Sequence, residues 1–390
     1  MDLQKRISSI DIARGLVMII MALDHVRDLL HDASLTQSPT NLATTTPILF
    51  FTRWITHLCA PTFVFLAGVS AYISYTRSQN KKENRNFLWK RGIWLIVAEL
   101  ILINFALWFD FQFRIVMFLV IAAIGVGLIL VAAVIKVNPN KIGIIALIIL
   151  LAHNLLQYLP KINNEFGNTL MSIFFRPGMH KISPDTLFFV AYPIIPWVAI
   201  LLLGFACGRI FEQHEHKQKS ILLKAAIASL LLFFVLRFVN IYGDPQQWKT
   251  EKDGVFTMLS FFNVTKQPPS LLFISLFLGI MFLLLRFAEK LPDKIQSVIS
   301  VYGKVPLFYY LVHFYLIRTA VFIMVFSQGF QWKDLLFGPF QFGRPVSGSG
   351  ISLWAVYIAW ILLVILLYPL CKWYGDYKSK NKHKRWLRYL

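Results

Sequence analysis

The chain alternates long apolar runs with short polar connections, a pattern that predicts a helical membrane protein. Ten of these runs approach the roughly 20 residues that an α-helix needs to cross a bilayer. They are Ile10 to Leu30, Leu49 to Tyr75, Phe87 to Trp108, Ile115 to Ile135, Ile142 to Leu159, Thr186 to Ile210, Ile221 to Val239, Ser270 to Phe287, Val305 to Phe326 and Ile351 to Cys371. We expect an all-α, polytopic integral membrane protein with about ten transmembrane helices, in which residues 1–390 form a single domain.

The composition also indicates a membrane protein, and it affects how the net positive charge is interpreted. The 390 residues are 57% hydrophobic and only 15% charged, whereas soluble domains carry roughly 25% charged residues. On a soluble chain the net charge of +20 would favour a nucleic-acid partner. Beside membrane spans, however, basic residues chiefly set orientation. We therefore expect membrane lipid as a partner and no nucleic acid.

Basic residues near the span ends predict the side of the membrane that each end faces. Every second connection carries them, at Arg77, Lys81, Lys82, Arg85, Lys90 and Arg91, at Lys136 and Lys141, at Arg209, Lys217 and Lys219, and at Arg286, Lys290, Lys294 and Lys304. Lys5 and Arg6 precede the first span, and the tail 372–390 is also basic. Because short basic connections stay in the cytoplasm, we predict that both termini are cytoplasmic.

The first run carries ionisable residues at membrane depth, where a charge costs several kcal/mol and therefore points to function. Asp11, Arg14, Asp24 and His25 all lie in or at the edges of this run. The eleven residues from Arg14 to His25 correspond to three helical turns and a rise of about 16 Å, so both side chains share one face. Arg14 can bind phosphate near the cytoplasmic end, with Asp11 as its ion-pair partner. His25 can accept a proton near the far end.

The second run adds Arg53 and His57, one helical turn apart near the same far end. We expect them to converge with Asp24 and His25. Two histidines beside a carboxylate suit general-base catalysis, because the carboxylate holds one imidazole tautomer and stabilises the imidazolium. A metal site is the alternative, but the sequence offers no evident third ligand, so we expect no metal.

The ninth run contributes His313 at mid-span, with Tyr310 three residues before it. Both side chains can face one cavity, so His313 joins the candidate catalytic residues. The alternative is a buried histidine bonded to a backbone carbonyl. In the second run, Pro61 predicts a kink and Gly68 close helix packing.

Several short motifs resemble those of a known family. They are Ser9–Gly15, Asp24-His25, Cys59–Gly68, Tyr192–Trp197 and Val305–Tyr310. In their order and placement they resemble bacterial proteins grouped with the heparan-alpha-glucosaminide N-acetyltransferase catalytic domain. That group belongs to a wider set of transmembrane acyltransferases, which pass an acyl group from cytoplasmic acyl-CoA to a sugar across the membrane. The resemblance implies acetyl-CoA or another acyl-CoA as co-substrate and a location in the bacterial inner membrane.

The resemblance also assigns roles to two residues. In acyltransferases that acetylate bacterial surface polysaccharides, a first-span arginine and a histidine eleven residues later are functional, and Arg14 and His25 match both. The heparan enzyme has asparagine at the position of His25, and its catalytic histidine lies in the first luminal loop. His31 is the match that this chain offers there.

We therefore predict a transmembrane acyltransferase that moves an acyl group, expected to be acetyl, to an extracytoplasmic hydroxyl or amine of a glycan. Arg14 would bind the phosphates of the donor, and His25 would act as base or acyl carrier. Asp24 and His57 would orient or polarise, and Arg53 would stabilise developing negative charge. The alternatives are a proton-coupled transporter or exporter and a non-catalytic membrane subunit. The sequence leaves a homo-oligomer open.

Overall fold

The computed structural model describes residues 8–158, 162, 164–337, 340–345 and 347–389. In chain order its α-helices are α1 (Ser8–Leu30), α2 (Pro47–Thr56), α3 (Cys59–Thr76), α4 (Lys81–Ala98), α5 (Asn104–Trp108), α6 (Val120–Val134), α7 (Pro139–Ala152), α8 (Glu165–Phe174), α9 (Ile194–Cys207), α10 (Glu215–Val239), α11 (Gly254–Phe262), α12 (Leu271–Phe287), α13 (Asp293–Lys304), α14 (Pro306–Ser327) and α15 (Leu353–Lys380). The strands are β1 (Ile115–Phe118), β2 (Gly178–Ser183) and β3 (Thr186–Val190). Lys5, Arg6 and Leu159, which the sequence analysis used, lie outside the described residues.

Eight helical segments of the described chain are long and apolar enough to cross a membrane. They are Pro47–Thr76, Lys81–Trp108, Pro139–Leu156, Ile194–Glu212, Glu215–Val239, Leu271–Lys290, Pro306–Ser327 and Leu353–Lys380. This architecture confirms the prediction of an all-α polytopic membrane protein. The two other predicted spans differ from these eight. Helix α1 has 23 residues but many charges, and apolar α6 has only 15 residues, about 22 Å of helix.

Two predicted spans begin in strands instead of helices. The runs predicted from Ile115 and from Thr186 start with β1 and β3, and their helices begin only at Val120 and Ile194. β1 pairs with β3 in parallel, and β2 pairs with β3 antiparallel. An apolar run of four or five residues has the same pattern in a strand and in a buried helix, which is why the sequence did not separate them.

The second predicted span is interrupted earlier than its proline. Helix α2 ends at Thr56 and α3 begins at Cys59, so the break falls at His57 and Leu58. Pro61 lies in the first turn of α3 and has no amide hydrogen to donate to the carbonyl of His57, four residues before it. The predicted kink is therefore a break one turn before Pro61.

Short α6 begins inside the protein because a buried carboxylate caps it. Glu99 lies in the π-helical turn Glu99–Ile103 and is fully buried. Its two carboxylate oxygens accept hydrogen bonds from the amides of Leu119 (2.5 Å) and Ile121 (2.7 Å). These bonds satisfy amides that would otherwise be unpaired at membrane depth.

Helices α3 and α9 cross with their backbones in direct contact. A Cβ added at Gly68 would lie 2.0 Å from the carbonyl oxygen of Leu201, and one added at Gly204 would lie 2.1 Å from that of Phe65. No side chain fits at either position without separating the helices. The prediction that Gly68 allows close packing is confirmed.

This crossing yields the first testable prediction. Replacing Gly204 by alanine should lower the thermal midpoint of the detergent-purified protein, because forcing a methyl group into a packed interface costs about 1–3 kcal/mol. Gly254→Ala is the matched control, since no atom lies within 4 Å of the added Cβ. Equal midpoints for the Gly204 and Gly254 variants would contradict the packing argument.

Candidate functional site

Two cavities lie end to end along α1. The first, which we call the Arg14 cavity, has a volume of about 290 Å³. The second, the His25 cavity, has a volume of about 360 Å³. Phe63, Val120 and Tyr310 line both cavities and so form the wall between them. The three wall residues come from α3, from the N-terminus of α6 and from α14.

The Arg14 cavity is strongly cationic. Its lining includes Arg14, Arg91, Lys304 and Lys378, and none of the described residues that line it is acidic. Its remaining wall is mostly apolar, from side chains of α3, α4, α6 and α14. A concave site with several cations and an apolar wall is suited to a ligand that carries phosphates at one end and an apolar chain at the other.

Close helix packing holds Arg14 at this cavity. The backbones of α1 and α13 meet at Gly303, where an added Cβ would lie 1.9 Å from the carbonyl oxygen of Asp11. The Arg14 guanidinium donates to the carbonyl of Leu66 (2.9 Å) and to the hydroxyl of Ser70. Asp11 is buried one turn before Arg14 and is not among the residues that line the cavity.

A hydrogen-bonded histidine pair lies at the other cavity. Nδ1 of His25 lies 2.6 Å from Nε2 of His313, and Nδ1 of His313 lies 3.2 Å from the carbonyl oxygen of Tyr309. A carbonyl only accepts, so in the neutral pair His313 donates from Nδ1 and accepts at Nε2. His25 must then donate from Nδ1, which leaves its Nε2 as the hydrogen-bond acceptor. His313 therefore bonds a backbone carbonyl, which is the alternative that the sequence left open, and it also orients His25.

The His25 ring is held in place and faces open space. It packs against both His313 and Phe314, with ring centroids 4.9 and 4.5 Å away. His25 lines the His25 cavity, whereas His313 is fully buried behind it. No described residue forms a hydrogen bond with Nε2 of His25. This geometry leaves a basic nitrogen available to a ligand.

Asp24 is bonded by two arginines. One carboxylate oxygen accepts from Arg27 at 2.9 Å, and the other accepts from Arg53. Arg27 also pairs with Asp28. Asp24 and Arg53 line the His25 cavity, so the structure brings them together with His25 as expected. The bonds of Asp24 are to arginines and not to a histidine ring, so it acts on the cavity through its charge.

His57 does not line the His25 cavity. It is 4% exposed, its Nδ1 has no hydrogen-bond partner, and its ring lies 5.6 Å from those of Phe273 and Phe277. It lines a third cavity of about 310 Å³, together with Arg53. Arg53 therefore lies between the two cavities, and His57 faces only the third.

Two other expectations concern His31 and metal ligands. His31 is buried, its ring lies 3.4 Å from the Asp32 carboxylate, and it is absent from the lining of the His25 cavity. Within the part of the chain that the structure describes, no three His, Cys, Asp or Glu side chains are arranged to hold a metal ion.

Sequence reasoning missed Lys266, which lines both the His25 cavity and the third cavity. It lies in the connection before α12. Burial, and after it the positive charge of Arg53, lowers the pKa of Lys266 to about 8. The run Lys266-Gln267-Pro268-Pro269 is the one local signal, because two prolines restrict the chain that carries the lysine.

Comparison with known proteins adds a family match. The model of the family described as heparan-alpha-glucosaminide N-acetyltransferase, catalytic, matches residues 6–242. No curated protein sequence matches the chain. The family match includes Arg14, His25 and Arg53, whereas Lys266 and His313 lie beyond it.

The lowered pKa of Lys266 gives a testable pH dependence. The neutral amine is the reactive form, so reductive methylation of Lys266 in the folded protein should have its midpoint near pH 8. In the unfolded chain the midpoint should move toward the ordinary lysine value of about 10.4. Quantitative mass spectrometry of the Lys266 peptide across pH measures both. The same midpoint in folded and unfolded protein would contradict the buried, cation-facing position.

Proposed function

Because this chain belongs to the heparan-alpha-glucosaminide N-acetyltransferase catalytic-domain family, a family of transmembrane acetyltransferases that use acetyl-CoA, we propose that it transfers an acetyl group from cytoplasmic acetyl-CoA to a glycan across the membrane. The acceptor group is an extracytoplasmic hydroxyl or amine, and the membrane is the bacterial inner membrane. The observation that carries this proposal is the pair of cavities that share one wall. One cavity is cationic, and the other presents a histidine.

Donor binding is assigned to the Arg14 cavity. Coenzyme A carries several phosphate charges on a long, mostly uncharged arm that ends in the thioester. Arg14, Arg91, Lys304 and Lys378 supply positive charge for the phosphates. The apolar residues toward Tyr310 receive the arm, so the thioester points at the wall between the cavities. Lys304 and Lys378 lie on the side that the sequence predicts to be cytoplasmic, where acyl-CoA is found.

The transfer step is assigned to His25. Nε2 removes the proton from the acceptor O–H or N–H as that atom attacks the thioester carbonyl. The carbon–sulfur bond then breaks, and coenzyme A leaves as a thiolate that takes up the proton. If His25 first carries the acetyl group, the same nitrogen is the nucleophile. His313 is a positioning residue in either route, because it accepts from Nδ1–H of His25 and so stabilises the imidazolium that forms.

The shared wall separates donor from acceptor. Phe63 and Val120 are apolar, and Tyr310 is nearly buried. Such a wall keeps bulk water from the thioester, which would otherwise hydrolyse. Only the acetyl group has to reach the other side, so neither the coenzyme nor the sugar crosses the membrane.

A proton-coupled transporter is the second candidate, and one observation favours it. The His25–His313 hydrogen bond at 2.6 Å is a geometry that also suits proton relay at membrane depth. A transporter would need the wall at Phe63, Val120 and Tyr310 to open for a whole solute. Thiol release from acetyl-CoA distinguishes the two functions, because a transporter breaks no thioester.

Loss of the base is the direct test of the reaction. His25→Ala should lower acceptor-dependent thiol release from acetyl-CoA by at least about 100-fold, the lower range for loss of a general base. Purified wild type and variant are compared over a panel of glycan acceptors. His216→Gln replaces an exposed histidine on the predicted cytoplasmic side and should retain full activity. Undiminished thiol release by His25→Ala would remove His25 from the mechanism. A wild-type protein that moves solute with a pH gradient but releases no thiol would favour the transporter.

Donor binding is tested without an acceptor. Arg14→Gln removes one charge-assisted contact and should weaken acetyl-CoA binding by about tenfold, the change that about 1.4 kcal/mol produces. Isothermal titration of the detergent-purified protein measures the Kd, and a thermal melt checks the fold. Arg385→Gln, in the exposed part of the basic tail, is the control that should bind normally. Wild-type affinity in the Arg14 variant would contradict the donor assignment.

A further inference from the structure

The third cavity carries more hydrogen-bond donors than the protein satisfies. We propose that it is a binding subsite for an anionic group, a carboxylate or a phosphoryl group, carried by the acceptor sugar. This inference rests on the proposed function, because it names the class of acceptor. The subsite would bind the charged substituent while a hydroxyl or amine of the same sugar reaches His25.

Two cations of the cavity lining, Arg27 and Lys266, have unused donor capacity, and His57 has an unpaired ring nitrogen. Nη1 of Arg27 and Nδ1 of His57 are buried atoms with no hydrogen-bond partner, and both residues line the cavity. Lys266 lines it too and makes no hydrogen bond or ion pair with any residue that the structure describes. A buried donor without a partner costs about 1–3 kcal/mol and calls for an explanation. A bound oxyanion would supply the acceptor that Nη1 of Arg27 and the amine of Lys266 lack.

The charge balance points the same way. Three cations, Arg27, Arg53 and Lys266, stand against the carboxylates of Asp24 and Asp28. Asp24 is bonded by Arg27 and Arg53, and Asp28 by Arg27. One positive charge, that of Lys266, therefore remains without a paired carboxylate. Charges of one sign in a partly buried cavity attract a ligand of the opposite sign.

The loop that carries Lys266 is held rigidly. The Asp244 carboxylate accepts from the amide of Thr265 (2.8 Å) and from the hydroxyl of Ser270 (2.6 Å). The buried Arg237 guanidinium donates to four backbone carbonyls, including those of Ser260 (2.8 Å) and Asn263 (3.1 Å). Donors that are fixed before the ligand arrives lose little entropy on binding. These bonds therefore form the subsite before the ligand binds.

The position of the cavity identifies the acceptor as the source of the anion. Asp28, Arg53, Lys266 and Gln267 line both the third cavity and the His25 cavity, so the two spaces adjoin. The donor phosphates are assigned to the Arg14 cavity, on the other side of the wall at Phe63, Val120 and Tyr310. A sugar acid or a sugar phosphate spans the two adjoining spaces with its acidic group beside Lys266.

A binding experiment tests the subsite independently of turnover. The full chain in detergent is melted with increasing inorganic phosphate, glucuronate or glucose, at constant ionic strength set with chloride. Phosphate or glucuronate should raise the thermal midpoint of wild type, by mass action on the folded state, and glucose should not. Lys266→Met should lose this shift and Lys266→Arg should retain it. Lys249→Met, at an exposed lysine in the connection before α11, should also keep it. Equal shifts in the Lys266→Met and Lys249→Met proteins would overturn the proposal.

A kinetic experiment identifies the acidic group. With acidic acceptors, Lys266→Met should raise the acceptor KM about tenfold, a much larger rise than with neutral acceptors, while the KM for acetyl-CoA stays unchanged. Comparing a uronate with a sugar phosphate shows which anion binds better. An equal rise for neutral and acidic acceptors would overturn the subsite and leave the acetyltransferase proposal intact. Anion binding that depends on Lys266 in a protein that never releases thiol would overturn the acetyltransferase proposal instead.

Discussion

The rest of the structure depends on one constraint, which is that every charge inside the membrane must be bonded within the protein. Helix α1 carries several of these charges, and it packs against α2, α3, α13, α14 and α15. The charges near its two ends are bonded to different kinds of partner. Near its start, Arg14 is bonded to Leu66 and Ser70 of α3, and near its end Asp24 is bonded to Arg27 and Arg53. The least enclosed of the long apolar helices, α10 and α15, stand at the periphery, where they can face lipid.

The same constraint explains why the regular helices stop where the cavities meet. A backbone that leaves the helix at membrane depth has to be covered by protein or to line a cavity. The break between α2 and α3 lies about one and a half turns before Phe63, and the N-terminus of α6 is Val120. Glu99 bonds the amides that flank Val120, so the wall residue sits on a fixed backbone. The wall that separates the two cavities is therefore built where the chain departs from regular helix.

The sequence predicts those features of the structure that depend on residues close together in the chain. It misses those that depend on contacts between distant residues. The spacing of Arg14 and His25 places them along one helix because the helical period acts over a few residues, and each does line a cavity. The pairing of His25 with His313 joins residues 288 positions apart, and no local pattern contains it. Arg91, Lys304 and Lys378 were interpreted only as orientation signals, because a phosphate site at the cytoplasmic surface and the positive-inside rule use the same residue types. Lys266 was missed because its burial comes from the fold.

The contrast between the cavities bears on how one protein can act on both sides of a membrane. The described lining of the Arg14 cavity has four cations and no carboxylate, which suits a ligand with several negative charges. Among the described residues, the lining of the third cavity has three cations and one carboxylate, that of Asp28. Two of these cations, Arg27 and Arg53, are also bonded to Asp24 behind the lining, so the third cavity suits a ligand with one negative charge. Under the proposed function, a coenzyme with several phosphates would be poorly matched to the acceptor side, and a singly charged sugar would be weakly held on the donor side. The two substrates would then be sorted by charge as well as by topology, and the wall at Phe63, Val120 and Tyr310 would need to pass only an uncharged acetyl group.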